Sequence, residues 1–281
     1  MICNSCPRKC NIDRNTTNGY CGQGKLKIAK IMTHFWEEPI ICDEKGSGAI
    51  FFSGCNLKCN YCQNYQISHE GKGDLYTAEQ LAQEFKNFDN SEVNNINLVT
   101  PSHFVDDILK AFEIYKPKKP VVYNSSGYDD VESLKKLSKY IDIYLVDFKY
   151  YSQDLSWSLS KAKDYFDVAN KALDFILKQK TIDVVENGKM QSGVIIRHLV
   201  LPGKTEDSLR VLDYLKQIGA QNRYISIMGQ YTPCYKASGD LSRKIKKLEY
   251  TRVISYFKKL GFKKGFCQDL SSASSNFIPD F

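Results

Sequence analysis

Nowhere in these 281 residues does an apolar run approach the about 18 residues that a membrane-crossing helix needs. The opening residues, MICNSCPRKC, lack the basic start and apolar stretch of an export signal. These two absences lead us to expect a soluble, cytoplasmic protein with no membrane partner. No internal repeat, low-complexity tract or long linker interrupts the chain, which sets aside solenoid and largely disordered architectures. A strong charge of one sign is missing too. Lys and Arg number 39 against 32 acidic residues, and the lysines scatter over helix faces such as 134–140 and 241–259, where they solvate. Nucleic acid is therefore not the expected partner. Hydrophobic residues at 42% and charged residues at 25% are ordinary for a globular chain with a sizeable core.

What the chain does have is cysteine, in two crowded sets. Cys3, Cys6, Cys10 and Cys21 form one, Cys55, Cys59 and Cys62 the other, while Cys42, Cys234 and Cys267 stand alone. A disulfide framework needs a secreted context that nothing here supplies, so close spacing points to metal ligation. Four thiolates spaced C-x2-C-x3-C-x10-C suit either zinc or a second iron–sulfur cluster, and Gly19 and Gly22 permit tight turns around the last of them. The three isolated cysteines read as plain buried thiols, Cys234 with the alternative of reaching a cavity.

After residue 47 short β-rich runs alternate with amphipathic helical stretches. Strands are expected at 49–53, 96–100, 121–124, 141–148, 194–201 and 224–228. Helices are expected at 77–85, 104–114, 130–137, 168–177, 208–218 and 241–260, the first opened by a Thr77–Gln80 capping box and the last closed by Gly261. Six βα units predict an α/β fold, a partial (β/α)6 barrel of parallel strands whose lateral gap admits a large substrate. Residues 1–47 break the pattern and read as a cysteine-rich metal-binding module preceding a barrel domain of 48–281.

The second cysteine set carries the chemistry. Gly54-Cys55-Asn56-Leu57-Lys58-Cys59-Asn60-Tyr61-Cys62 follows a predicted strand and has the spacing C-x3-C-x2-C. Three thiolates so close can hold three corners of an iron–sulfur cube, leaving a fourth iron without a protein ligand and open to a small molecule. A zinc knuckle or three buried cysteines are the plainer alternatives.

With Tyr61 before the last cysteine, this loop resembles the radical S-adenosylmethionine superfamily. From Gly48 to Leu260 the motif order resembles the glycyl-radical-enzyme activating branch, whose best-known member is pyruvate formate-lyase-activating enzyme. Val146-Asp147-Phe148-Lys149 resembles its D-L-K signature, and Ile196-Arg197-His198-Leu199-Val200-Leu201-Pro202-Gly203 its I-R-Y-V-V-P-G strand. Closer still is an offshoot that shares GSG-x-IFFSGC, CQNYxIS, NINLVTPSHF, VVYNSSGY, DIYLVDFKY and IIRHLVLPG. The resemblance implies a [4Fe-4S] cluster on Cys55, Cys59 and Cys62 that binds S-adenosylmethionine and cleaves it reductively. The product is a 5′-deoxyadenosyl radical that abstracts a hydrogen atom from a glycine of a partner protein, or from a small metabolite or peptide. It also implies an oxygen-sensitive protein of cells with an anaerobic phase, and a reducing donor such as flavodoxin or ferredoxin. The reading from another class is a non-catalytic iron–sulfur electron carrier or zinc-binding module.

Two features of the branch are missing. Its Gly-Gly-Glu segment, which holds the methionine amino group, is replaced by Thr100-Pro101-Ser102-His103, so backbone carbonyls, Ser102 or His103 would take that role. The insertion carrying extra ferredoxin-type clusters is absent as well. In parallel barrels ligands sit at the C-terminal strand ends. That singles out Asn124, Ser125, Ser126 and Gly127 for the ribose or methionine, and Gln230 and Tyr231 for adenosine. Asp147 and Lys149, two apart on one strand, share a face and are expected in the lumen. Alternation admits only one of Arg197 and His198 to the interior; Arg197 is expected there, binding a carboxylate of cofactor or substrate, with His198 packed beneath the helices.

Overall fold

The computed structural model describes residues 2–268 and 281. Its elements are β1 (Lys27–His34), β2 (Ser47–Phe52), α1 (Tyr65–Ser68), β3 (Asp74–Leu75), α2 (Ala78–Asp89) and β4 (Ile96–Val99). They continue with α3 (Val105–Ile114), β5 (Val121–Ser125), α4 (Val131–Leu137), β6 (Ile143–Asp147), α5 (Gln153–Ser160) and α6 (Tyr165–Gln179). The rest are β7 (Val184–Glu186), β8 (Lys189–Leu199), α7 (Thr205–Gln217), β9 (Tyr224–Met228), α8 (Lys247–Lys259) and β10 (Lys264–Cys267). Residues 269–280 of the expected barrel domain lie outside the described residues.

The six expected strands all form, and they stand side by side as β2, β4, β5, β6, β8 and β9 with parallel pairing throughout. β10 extends the parallel run past β9, while β1 and β3 extend the other side antiparallel. The path ends at β10 and β3, so among the described residues the mostly parallel sheet does not close.

Both faces of the central strands are buried, and their side chains alternate. Ile50, Leu98, Tyr123, Tyr144, Ile196 and Ile225 pack outward into the main core with the helices. Val122, Ile143, Leu145 and Ile195 point to the other face, where Ile40 and Ile41 of the β1–β2 connection cover them. Higher on that inner face the residues turn polar: Asn97, Asn124, Asp147 and Arg197. The lumen is thus plugged and apolar at its N-terminal end and polar at its C-terminal end.

Helix α2 starts with the expected capping box, Gln80 N–H donating to Thr77 Oγ1 at 3.2 Å and Thr77 N–H to Gln80 Oε1 at 2.8 Å. The last helix is shorter than expected. Residues 239–242 make a 3-10 turn and α8 begins only at Lys247. Glu249 explains the later start: its carboxylate accepts from Lys246 N–H at 2.8 Å and pairs with Arg243 at 2.8 Å, fixing the N-terminus there. Gly261 does follow the helix with φ of 79°. Cys267, expected buried, is exposed, because β10 is an edge strand.

These contacts set a scale of stability. Phe85 is fully buried and stacks on Phe112 at 4.9 Å between centroids. We expect Phe85→Ala to lower the unfolding free energy by about 3–5 kcal/mol, and loss of the helix cap in Thr77→Ala to lower it by about 1 kcal/mol. Urea-denaturation midpoints read both; equal shifts would refute this ordering.

Candidate active site

The three-cysteine loop begins one residue after β2 and turns at Gly54, whose φ of 81° lies in the left-handed region that favours glycine. A Cβ at Gly54 would stand 2.5 Å from the carbonyl oxygen of Cys21, the same oxygen that accepts from Cys55 N–H at 3.4 Å. Farther on, Lys58 N–H donates to Ser160 O at 3.1 Å and Asn60 N–H to Leu159 O at 2.9 Å, pinning the loop to the end of α5. Cys59 Sγ lies 3.0 Å from Ser160 Oγ, and Cys62 Sγ 3.1 Å from Ser68 Oγ. Ser160 Oγ is in turn 2.6 Å from Tyr150 OH, which shares a hydrogen bond with Tyr61 OH.

Burial pushes the Cys55 thiol up to about 12 and the Cys62 thiol up to about 11. Cys59 rises for the same reason, though Lys149 and Ser160 oppose the rise. Such sulfurs lack the positive charge that a metal core supplies on deprotonating its ligands. Among the described residues, no three His, Cys, Asp or Glu side chains converge on a point where one ion could sit. Three thiols in one short loop match in type and number the protein ligands of a cluster that takes one thiolate per iron.

All three cysteines border a cavity of about 280 Å³ at the C-terminal ends of the parallel strands. Its wall also includes Tyr61, Thr100, Asn124 and Ser126, with Gln230 and Tyr231 beyond β9. Asp147, Lys149 and Arg197 line it together, on the expected inner face. Ser102 and His103 are buried outside it. Thr100 has a φ of 62°, a left-handed position rare for a β-branched residue, and the chain after it turns behind the wall. There Ser102 Oγ donates to Asp129 at 2.5 Å, and the His103 ring meets Ser53 O at 2.7 Å. His198 is packed as expected, its ring nitrogens 2.8 Å from Phe148 O and 2.9 Å from Ser208 Oγ. Cys42 is buried, and Cys234 is half-buried and not part of the cavity wall.

The inner end of the cavity is an ion-pair network. Arg197 Nε donates to Asp147 Oδ1 at 2.8 Å, its second nitrogen lies 3.3 Å from Glu37 Oε2, and its third donates to Asn124 Oδ1 at 2.7 Å. Lys149 Nζ donates to the other Asp147 oxygen at 2.7 Å. Burial alone would raise the Asp147 carboxyl, but Arg197 and Lys149 outweigh it and hold the group below its ordinary value. Burial alone would lower Lys149; Asp147 and Cys59 outweigh it and raise the ammonium. Glu37 accepts from Asn97 at 2.8 Å and from Asn124 at 3.0 Å. Beside it Glu38 is buried, its Oε2 without a hydrogen-bond partner among the described residues and 4.0 Å from Arg197. Sequence reasoning missed Glu37, Glu38 and Asn97. The run His34-Phe35-Trp36-Glu37-Glu38-Pro39, two adjacent carboxylates among aromatics, is the signal that marks the two glutamates.

The four N-terminal cysteines gather on the outer side of the loop. Cys3, Cys6 and Cys21 are buried and Cys10 is half-buried. Burial pushes the Cys6 thiol up to about 12, and negative charge on Cys21, Cys3 or Cys10 would raise it further.

A parallel, open, barrel-like sheet with a three-thiol loop at its C-terminal mouth defines a class of cluster-dependent enzymes. The Radical SAM superfamily model matches residues 49–231, and the chain belongs to that superfamily. Membership implies a [4Fe-4S] cluster and S-adenosylmethionine as cofactors. Among relatives, an uncharacterized protein of Methanocaldococcus jannaschii is 29% identical over 92% of this chain and 74% of its own length. Pyruvate formate-lyase-activating enzyme of Clostridium pasteurianum is 26% identical over 56% of this chain and 63% of its own. Among solved structures, SuiB of Streptococcus suis bound to precursor peptide SuiA aligns at a TM-score of 0.53, 14% identity, 78% of this chain and 48% of that one. Native anSMEcpe with bound AdoMet aligns at 0.50, 17% identity, 74% and 57%. The chain spans about half the length of these solved structures, and the likeness is one of fold. Among the described residues no helix is long and apolar enough to cross a membrane.

Glu38 gives the site a pH signature. Burial pushes its carboxyl up to about 7, against the pull of Arg197, from an ordinary value of 4.5. A raised folded value means that the folded state keeps the proton longer than the unfolded chain. Stability from this group is therefore full below the ordinary value and lost as pH rises through 7. We expect wild-type unfolding free energy to fall relative to Glu38→Gln by up to about 1.4 kcal/mol per pH unit between about pH 5 and 7. Parallel pH profiles of the two proteins in urea titrations would refute it.

Proposed function

We propose that this protein is a radical S-adenosylmethionine enzyme of activating-enzyme type, with its cluster on Cys55, Cys59 and Cys62. The observation that supports it most is that one cavity is bordered both by the three loop thiols and by the polar ends of β5, β6 and β8. When bound, the cluster and S-adenosylmethionine supply a 5′-deoxyadenosyl radical that abstracts a hydrogen atom. Tyr61, Thr100, Asn124, Ser126 and Gln230 are the wall residues we assign to S-adenosylmethionine, with Asp147, Lys149 and Arg197 orienting it or the substrate. Ser102 and His103 serve instead by holding the loop behind Thr100.

The preferred substrate is a glycine of a partner protein. The likeness to pyruvate formate-lyase-activating enzyme supports this choice, as do the open sheet and the exposed Trp36 at the cavity wall. A peptide or small metabolite is the second reading, favoured by replacement of the Gly-Gly-Glu segment. Electrons come from a donor such as flavodoxin or ferredoxin, in a cytoplasm with an anaerobic phase. Cys3, Cys6, Cys10 and Cys21 form a second metal site in a module of residues 1–47. A mere electron carrier is disfavoured, because it would gain nothing from a cavity beside its cluster.

The chain's own residues also tune the loop. Once Cys59 is a thiolate it can only accept, so Ser160 donates to it, Tyr150 to Ser160 and Tyr61 to Tyr150. Hydrogen bonds to cluster sulfurs stabilise the more negative, reduced state. We expect Ser160→Ala to move the midpoint potential to more negative values in an EPR redox titration; an unmoved potential would discount the chain of hydroxyls. Anaerobically, with dithionite, the wild-type protein should release 5′-deoxyadenosine from S-adenosylmethionine, and Cys59→Ala should release none. Release that survives the substitution sinks the assignment.

A further inference from the structure

We propose that the outer face of the three-cysteine loop is the docking surface for an acidic one-electron donor protein, received by Lys58, Lys161 and Lys236 among three exposed aromatic rings. This rests on the reading of the chain as an enzyme that takes up single electrons at its loop, and adds where they enter.

The surface is continuous because the elements that carry it bond to the loop. Lys58 N–H donates to Ser160 O at 3.1 Å and Asn60 N–H to Leu159 O at 2.9 Å, which lays the loop along the end of α5 with Trp157 and Lys161. Lys236 N–H donates to Asn60 O at 2.9 Å, and the His69 ring meets Cys59 O at 3.0 Å. At the other edge Cys21 O accepts from Cys55 N–H at 3.4 Å, which sets Tyr20 beside the loop. Arg8 fastens that edge, donating to Asn56 O and Lys161 O at 2.8 Å each, with its guanidinium 4.0 Å from the centre of the Tyr20 ring.

The charge here is of one sign. Tyr20 and Tyr235 are each 37% exposed and Trp157 is 53% exposed, so all three rings are open to a partner. Each carries a cation: Lys58 lies 5.8 Å from the centre of Tyr20, Lys161 5.5 Å from Trp157 and Lys236 5.1 Å from Tyr235. Among the described residues none of Arg8, Lys58, Lys161 and Lys236 pairs with a carboxylate. Of the acids nearby, Asp130 is taken by Lys9 at 2.7 Å and Asp164 accepts from Tyr128 OH at 2.8 Å, while Glu70 is exposed beside His69. Cations held on rings rather than on carboxylates leave a positive patch that attracts an acidic partner. Tyr235 keeps a left-handed φ of 55°, fixed by stacking on Tyr65 at 5.1 Å and by the His69 ring at 4.6 Å.

Position selects the occupant. None of Tyr20, Lys58, Trp157, Lys161, Tyr235 and Lys236 lines the cavity, although Cys55, Cys59 and Cys62 do. A partner on this face meets the loop from outside while the cavity stays open to substrate. A substrate that gives up a hydrogen atom must enter the cavity; an electron needs only a close approach. Opposite charge and a few aromatic contacts suit an electron-transfer encounter, which is small, brief and steered by charge. The donor loses one electron and the loop's cluster gains it, and no bond forms or breaks.

The test sets flavodoxin, an acidic flavin protein, against dithionite, which needs no docking surface. Fluorescence anisotropy of dye-labelled flavodoxin should show wild-type binding that weakens as salt rises from about 20 mM to about 200 mM. Lys161→Glu/Lys236→Glu should weaken that binding about tenfold. Flavodoxin-driven release of 5′-deoxyadenosine should fall with it, while dithionite-driven release stays at the wild-type rate. Unchanged affinity in the variant overturns the docking surface. So does an equal loss of release with both reductants, which would give these residues to substrate or to folding. Tighter binding of single-stranded RNA than of flavodoxin, lost in the same variant, would assign the face to nucleic acid and overturn it too. A wild-type protein that releases nothing with dithionite sinks the enzymatic reading itself, while the affinities still decide the docking surface.

Discussion

Arg197 ties the polar half of the lumen together. Its guanidinium reaches Asp147 on β6, Asn124 on β5 and Glu37 from the β1–β2 connection while standing on β8. Only a planar fork of fixed donors can meet three partners in three directions at once; a lysine offers a single compact charge. Removing the guanidinium would leave Glu37 and Glu38 without their cation and Asp147 with Lys149 alone, a change that costs about 3–5 kcal/mol in comparable networks. Within the chain its charge is met by Asp147 and Glu37. Along the cavity wall Asp147 and Glu37 face two cations, Arg197 and Lys149, while Glu38 is buried beside them with its carboxyl pushed up to about 7.

That network stands on an apolar floor. Ile40 and Ile41 cover Val122, Ile143, Leu145 and Ile195, and Met190 N–H anchors the plug by donating to Ile40 O at 2.8 Å. The same short connection therefore does two things. Its isoleucines seal the apolar end, and its glutamates, a few residues earlier, enter the polar end. Charge interactions strengthen when water is excluded from one side, so sealing the base also stiffens the ion pairs above it.

The fold was legible where local pattern and burial agree. Strands buried on both faces read as continuous apolar runs, which is why β2, β4, β5, β6, β8 and β9 could be placed, Tyr224–Met228 to the residue. β1 escaped because its burial is mixed and it pairs antiparallel at the side of the sheet. α8 was placed too early because Arg243 and Glu249 interact across the true start, and side-chain pairing of that kind leaves no periodic trace. In the site, period-two alternation put Asp147, Lys149 and Arg197 inside and His198 outside. Alternation says nothing of a loop. The paired carboxylates of Glu37 and Glu38 mark their segment, but its place under the strands comes from the packing of Ile40 and Ile41, which leaves no periodic trace.

The loop after β4 shows the same limit from the other side. Thr100, Pro101, Ser102 and His103 sit where a cofactor-holding segment belongs, and two polar side chains in such a place invite a ligand role. The backbone carries both of them behind the cavity wall. Thr100 N–H donates to Asn124 O at 2.9 Å, extending the β4–β5 pairing by one residue, and its left-handed φ of 62° then swings the chain away from the cavity. Ser102, Tyr123 and Ser125 donate to Asp129 at 2.5, 2.9 and 2.5 Å, and Arg14 donates to His103 O at 2.7 Å. These four bonds hold the turn from behind. What faces the cavity is Thr100 with its strained backbone, beside Asn124 and the carboxylate of Glu37. Of the acidic residues in this wall, Asp147 comes from the end of β6 and Glu37 from the β1–β2 connection.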